Sequence, residues 1–344
     1  MKKDIRNISQ EDLEQFFSEN NLQKFRIKQL NEWLWKKGAT AFDEMTSLSK
    51  DLRELLKNTF ELKSADIDQE FVSSDGTIKY SMKLHDNKLI EGVLIPSKKR
   101  VTACISSQIG CSLACTFCAT GTLKLSRNLT HGEIFDQVYK LNQESEKNYG
   151  RSLTNIVFMG MGEPLLNYNA LLKAIEKITS EKGLGISPRR ITVSTAGLSK
   201  QIIKLADDGV RFNLAISLHS AVDEIRSEIM PLNDSINLET LRESIRYFYE
   251  KTNNRVTYEY ILFKGINDDL DAARRLAAFC RISPCKVNLI EYNTVDGMDF
   301  EKSTQENTEG FIEFLEHRNI IVHLRRSKGK DIDAACGQLV NKLQ

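Results

Sequence analysis

Cys111-Ser-Leu-Ala-Cys115-Thr-Phe-Cys118 decides how the rest of the chain reads, because it gathers three thiols into eight residues. Only four of the seven cysteines lie elsewhere. A tight turn can aim three sulfurs at one place, but no fourth ligand stands nearby. The nearest histidine, His131, is too far along the chain to belong to the same knuckle. A structural zinc site closes its tetrahedron with four protein ligands. Three cysteine thiolates instead suit one [4Fe–4S] cluster with one iron left open to a small molecule. Zinc, a disulfide pair and inert core cysteines are the competing readings.

Working outward, the cysteine run follows residues 101–107, the first of several short apolar runs that alternate with amphipathic helical stretches. Further runs fall at 155–159, 190–194, 212–218, 256–262 and 285–290, with 320–324 trailing. Helices are expected at 131–146, 168–182, 198–208, 223–230, 237–249, 270–279 and 308–316. Strand-then-helix repetition implies parallel strands joined by crossover helices. Six such units predict an α/β fold, a partial (β/α)6 barrel over 97–331. Barrel sites gather at the C-terminal ends of strands, where the cysteine run falls. Ahead of the barrel, 66–96 alternates with a period of two, broken by Ser74-Asp75-Gly76 and Asp86-Asn87, and reads as a short β-meander linker. Residues 1–65 read as a small helical accessory domain: Ser9 as an N-cap, an apolar stripe from Phe25 to Trp35, and a third helix from about Ser49. This module is either a packing appendage or an RNA-docking arm. Residues 332–344 form a C-terminal segment.

Composition is that of an ordinary globular protein, 41% hydrophobic and 28% charged, with no stretch apolar enough to span a bilayer. The start has no apolar signal core, so a cytoplasmic location is expected. Locally clustered cysteines in a chain of this size suggest metal or redox chemistry in a reducing compartment. The net charge of +1 gives no global sign of nucleic acid. Lys98-Lys99-Arg100, Arg189-Arg190, and Arg325-Arg326 with Lys328 and Lys330 are candidate phosphate contacts, although such runs are commonly solvated faces.

Other chemistry-bearing residues sit at strand ends. In Gly160-Met161-Gly162-Glu163-Pro164, glycines permit close backbone approach and Glu163 can accept from an ammonium group. Ser194 ends the third strand, Ser217-Leu218-His219 the fourth, and Asn293 follows the sixth. Singly, each reads as a loop cap; together they could grip a polar ligand. Glu91, flanked by apolar residues in a strand, is expected to face solvent. Cys280 and Cys285 read as inert. Asp333 is expected to cap a short helix whose first turn would favour the thiolate of Cys336. For Cys104 and Cys336 alike, an inert buried thiol is the default.

These segments together change that default. The cluster run, Cys104-Ile-Ser-Ser-Gln-Ile-Gly-Cys111, Arg127-Asn-Leu129, Met159-Gly-Met-Gly-Glu-Pro-Leu-Leu-Asn167, Ser217-Leu-His219 and Asp331-Ile-Asp-Ala-Ala-Cys-Gly-Gln-Leu339 resemble the RlmN/Cfr family of radical S-adenosylmethionine (SAM) RNA methyltransferases over nearly the whole chain. The resemblance implies methylation of C2 of adenine 2503 in the peptidyl-transferase centre of 23S rRNA and of adenine 37 beside the anticodon of tRNA. It also implies one [4Fe–4S] cluster on Cys111, Cys115 and Cys118, and two SAM molecules per turnover. Gly162, Glu163, Ser194, Ser217, Leu218, His219 and Asn293 would contact SAM. Cys336 would carry the methyl group, and a 5′-deoxyadenosyl radical would take a hydrogen atom from it. Cys104 would release the protein–RNA adduct through a transient disulfide, and Glu91 would accept the proton. A monomer served by an external electron donor such as flavodoxin or ferredoxin is implied. A C2–H between two ring nitrogens is neither acidic nor nucleophilic, which agrees with a radical route. The alternatives are methylation of C8, as in the Cfr branch, and a non-catalytic zinc-stabilised RNA-binding protein.

Overall fold

The structure, a computed structural model, describes residues 2–340. Its N-terminal module contains α1 (Gln10–Glu19), α2 (Phe25–Trp35) and α3 (Lys50–Thr59). Ser9 accepts from Asp12 N at 3.0 Å and Ser49 from Leu52 N at 3.4 Å, so each cap satisfies an amide the helix leaves unpaired. Phe17, Leu30 and Leu56 close the module's core.

The main sheet has ten strands laid down in chain order. They are β1 (Asp66–Val72), β2 (Ile78–Lys83), β3 (Leu89–Pro96), β4 (Val101–Cys104), β5 (Asn155–Phe158), β6 (Ile191–Thr195), β7 (Asn213–Ser217), β8 (Val256–Leu262), β9 (Cys285–Glu291) and β10 (Ile321–Arg325). Strands β1 to β4 pair antiparallel, and β4 to β10 pair parallel. The crossovers carry α4 (His131–Tyr149), α5 (Tyr168–Thr179), α6 (Ser199–Asp207), α7 (Asp223–Ile229), α8 (Leu238–Thr252), α9 (Leu270–Phe279) and α10 (Gln305–Glu316). Strands β1 and β10 are the two edges, so the barrel stays open.

Three expectations change. The trailing run is a seventh parallel strand, paired to β9 from Lys286↔Ile321 to Ile290↔Arg325. The meander is an extension of the same sheet, because β3 pairs with β4 from Val93↔Cys104 to Pro96↔Val101. With β2 and β4 on its flanks and α4 packed against it, β3 leaves Glu91 only 4% exposed, which overturns the solvent-facing reading.

The helical module is tied to α4. Buried Arg6 donates from Nη1 to Asp136 Oδ1 at 2.7 Å, and Asp136 Oδ2 accepts from Ala65 N at 2.9 Å. Trp35 stacks on His131 with ring centroids 5.5 Å apart. Among the described residues, no helix is long and apolar enough to cross a membrane.

Candidate active site

Strand β4 delivers the chain to the C-terminal end of the barrel, where two loops close on each other. Ser107 N donates to Met161 O at 2.9 Å, Gly160 N to Ile105 O at 3.0 Å, and Met161 N to Ser106 Oγ at 2.9 Å. Gly162 has φ +92°, and a Cβ there would stand 2.4 Å from Gln108 Cβ, so only glycine fits. Gln108 locks the joint, its Oε1 accepting from Glu163 N at 2.7 Å. Asn167 Nδ2 donates to Ser107 O at 2.9 Å and to Leu129 O at 2.7 Å.

Above this joint lies a cavity of about 890 Å³, open to solvent and lined by Cys111, Cys115, Cys118, Gly162, Glu163, Ser194, Ser217, His219 and Cys336, among others. Glu163 accepts from Leu165 N at 3.0 Å and Ala196 N at 2.8 Å, yet burial pushes its pKa up to about 7. A cationic ammonium arriving in the cavity would offset that burial. His219 has φ +54°, and its Nδ1 accepts from Ile261 N at 3.1 Å, which leaves the ring proton on Nε2. Burial holds its pKa down at about 3, so the ring is neutral. Phe117 stands edge-on to it at 4.9 Å. Ser194 Oγ and Ser217 Oγ are 3.3 Å apart.

Leu218 stands behind the cavity wall rather than in it. Its side chain is fully buried, its N donates to Glu259 O at 3.0 Å, and its O accepts from Arg226 Nε at 3.1 Å. Arg226 also donates from Nη2 to Ala196 O at 2.6 Å and from Nη1 to Asn233 Oδ1 at 2.8 Å, clamping the ends of β6 and β7 together. It is 1% exposed, and burial lowers its pKa only to about 10, so the charge persists. Nothing in the pattern of α7 distinguished this arginine from a surface residue.

Burial pushes the Cys111 thiol up to about 11 and raises those of Cys115 and Cys118 as well. Thiolates in such a place need a cationic centre beside them. Cys111, Cys115 and Cys118 line one cavity beside Glu163, and three thiolates with no fourth protein ligand are a donor set that fits a [4Fe–4S] group with one iron open.

The C-terminal segment lies across the mouth of the barrel. Asp331 accepts from Ser73 Oγ at 2.5 Å and Ser74 N at 3.0 Å, and Gly329 N donates to Asp75 Oδ2 at 3.0 Å. Further on, Ala119 N donates to Gly337 O at 2.7 Å and Asn293 Nδ2 to Cys336 O at 3.1 Å. Asn293 therefore supports the backbone of Cys336 and does not line the cavity. The expected helix is absent among the described residues: Asp333 takes the left-handed conformation (φ +51°) and closes a single turn over Lys330–Ile332, with Cys336 in the loop beyond. Residues 341–344 of the expected segment lie outside the described residues. With no helix dipole behind it, the Cys336 thiol is raised by burial and drawn back by the Arg325 guanidinium. Cys336 is exposed and lines the cavity.

Cys336 lines a second cavity as well, about 790 Å³, together with Cys104, Arg325, Arg326 and Lys328. Burial pushes the Cys104 thiol up to about 12. All seven cysteines are free thiols. Glu91 lines neither cavity; it pairs with Lys79 Nζ at 3.2 Å and accepts from Val340 N at 3.0 Å, pinning the end of the described segment.

An open parallel barrel whose first loop carries three cysteines beside a glycine-rich acidic loop is the architecture of radical SAM enzymes. Residues 105–277 match the profile of the radical SAM superfamily. Residues 3–62 match that of the ribosomal RNA large subunit methyltransferase N-terminal domain. A probable dual-specificity RNA methyltransferase RlmN of Flavobacterium psychrophilum is 54% identical over 99% of this chain and 98% of its own length. The dual-specificity RNA methyltransferase RlmN of Geotalea uraniireducens is 41% identical over 99% and 98%. A crystal structure of a radical SAM methyltransferase from Sphaerobacter thermophilus superposes with a TM-score of 0.92 at 38% identity, covering 98% of this chain and 99% of that one. The chain belongs to the RlmN family of radical SAM methyltransferases. Membership implies a [4Fe–4S] cluster and SAM.

Proposed function

We propose that this enzyme methylates C2 of an adenine in 23S rRNA and of one in tRNA, passing the methyl group through Cys336. One observation carries the reading: Cys336 lines both the cavity holding Cys111, Cys115 and Cys118 and the basic cavity holding Cys104. A thiol common to two cavities can be loaded from one and discharged into the other.

In this reading Cys111, Cys115 and Cys118 hold the cluster, and Glu163, Ser194, Ser217 and His219 orient SAM. When bound, the cluster supplies the electron for reductive cleavage of SAM, received from an external donor such as flavodoxin or ferredoxin. Cys336, as thiolate, first takes the methyl group of one SAM by displacement. Its S-methyl then gives a hydrogen atom to the deoxyadenosyl group of the second SAM, its carbon bonds to C2, and one electron returns to the electron-transfer chain as the C2 proton leaves. Glu91 takes the C2 proton, as the resemblance implies, once it leaves Lys79 and the Val340 amide that hold it outside both cavities. Cys104, as thiolate, attacks the Cys336 sulfur, the sulfur–methylene bond breaks, the methylene carbon takes a proton to become the methyl group on C2, and a transient Cys104–Cys336 disulfide is left for external reductant. Burial raises both thiols, and the Arg325 guanidinium beside them opposes part of that rise. Arg326 and Lys328 meet phosphates at the mouth. C2 lies on the pairing edge, so the adenine enters unpaired and splayed. The enzyme acts as a cytoplasmic monomer.

The test is mass analysis after incubation with methyl-labelled SAM. Label on the Cys336 peptide supports the carrier role. An unlabelled Cys336 in protein that still methylates RNA contradicts it.

A further inference from the structure

The end of the barrel opposite the cysteines has no part in the chemistry above. Because β6 to β10 run parallel, the loops that enter them emerge on one face. Two cavities open there. One, about 1040 Å³, is lined by Arg189, Arg211 and Lys251. The other, about 920 Å³, is lined by Arg255, Arg281 and Arg318. Segment 251–255 contributes to both, so the two adjoin. No Asp or Glu lines either cavity, in a chain whose 48 basic and 47 acidic residues nearly balance.

Cations near helix C-termini have a plain structural use, since they bond the last carbonyls of the helix. Arg318 does this, Nη1 donating to Phe314 O at 3.1 Å, and Lys251 stands 3.9 Å from Asp207. That use does not account for the rest. Arg189, Arg211 and Arg255 lie beyond the ends of α5, α6 and α8, which stop at Thr179, Asp207 and Thr252. Together with Arg281 they are exposed and, among the described residues, make no side-chain hydrogen bond or ion pair. Four guanidiniums without a side-chain partner, in cavities without a carboxylate, make a locally positive surface that a polyanion would neutralise.

We propose that this face binds the phosphate backbone of the substrate RNA at a distance from the catalytic mouth; the proposal rests on RNA being the substrate. Guanidinium groups suit phosphate by their fork geometry. No aromatic ring lines either cavity, so the contact is to the backbone and not to stacked bases. The two ends of the barrel are separated by little more than β8, whose seven residues span about 23 Å. A folded RNA the size of tRNA reaches both ends, whereas a short stem-loop docked at the mouth does not.

The experiment measures binding of the holoenzyme to a full-length tRNA transcript and to its isolated anticodon stem-loop, from 50 to 200 mM salt. The variants are R211Q/R255Q/R281Q and, on other loops, R189Q/R318Q. Loss of three phosphate contacts lowers the slope of log affinity against log salt by about 2.7, so the wild type should lose about 40-fold more affinity than the triple variant over that range. KM for tRNA should rise with kcat retained, stem-loop binding should stay the same, and methyl loading of Cys336, which needs no RNA, should be unaltered. Unchanged tRNA affinity and slope in both variants overturn the proposal, the outcome expected if an acidic protein docks on this face. A wild-type enzyme that neither binds nor methylates any RNA overturns the substrate reading beneath it as well.

Discussion

Arg226→Met tests whether the ligand-facing strand ends are held from behind. The guanidinium donates to Leu218 O, Ala196 O and Asn233 Oδ1 at 3.1, 2.6 and 2.8 Å from a position 1% exposed. Methionine fills much of the same space but leaves all three acceptors without this donor. Each unpaired buried acceptor costs about 1–3 kcal/mol. Removing a buried charge returns part of that as desolvation no longer incurred, for a net loss of about 3–5 kcal/mol. In a chain of this size that is a fall in Tm of about 4–7 °C. Ala196 and Leu218 adjoin Ser194, Ser217 and His219, so SAM affinity should weaken about tenfold, equivalent to about 1.4 kcal/mol. Thermal unfolding followed by circular dichroism and equilibrium dialysis with labelled SAM read the two effects. Arg226→Lys should recover part of the stability and less of the binding. A methionine variant within about 1 °C of the parent, with unchanged SAM affinity, would refute the reasoning.

Further outcomes follow from other contacts. Gly162→Ala forces a Cβ to within 2.4 Å of Gln108 at φ +92°, and should lose SAM binding along with about 2 kcal/mol or more of stability, read by the same two assays. Cys104→Ala should accumulate a covalent protein–RNA adduct visible on denaturing gels, whereas normal turnover in that variant would remove the resolving role. Asp86 is held down at about 2, chiefly by its hydrogen bond from Arg127, and Glu133 is also lowered despite its burial. Folded values below unfolded ones mean that this stability is full above about pH 5 and lost as pH falls toward 2. Asp86→Asn should therefore flatten the acid limb of the urea-stability profile by about 1–2 kcal/mol, after allowance for its partial exposure.

Much of the fold was legible because the period of the apolar runs switches cleanly from two to helical at each element. Helix 270–279 begins and ends where the pattern places it. The grouping of chemistry at strand ends was legible for the same reason, since parallel strands put every C-terminus on one face. What sequence could not supply was tertiary context. Glu91 reads as solvent-facing in its own strand, and only its place between β2 and β4 buries it. Asp333 resembles a helix cap, but the chain there is held by Ser73, Ser74 and Asp75 across the mouth, which leaves no room for helical continuation. Leu218 sits between two cavity residues, and its backbone is taken by Arg226 and Glu259. Arg226 itself had no local signal, because its three partners lie on three separate segments.

The central claim is tested most directly by incubating the reconstituted enzyme with SAM, a low-potential reductant and 23S rRNA or tRNA, then digesting the RNA and identifying the methylated nucleoside. The account predicts 2-methyladenosine, absent when Cys336 is replaced by Ala. 8-Methyladenosine would move the reaction to the other ring carbon, and no methylated adenosine from iron-loaded protein would contradict the account.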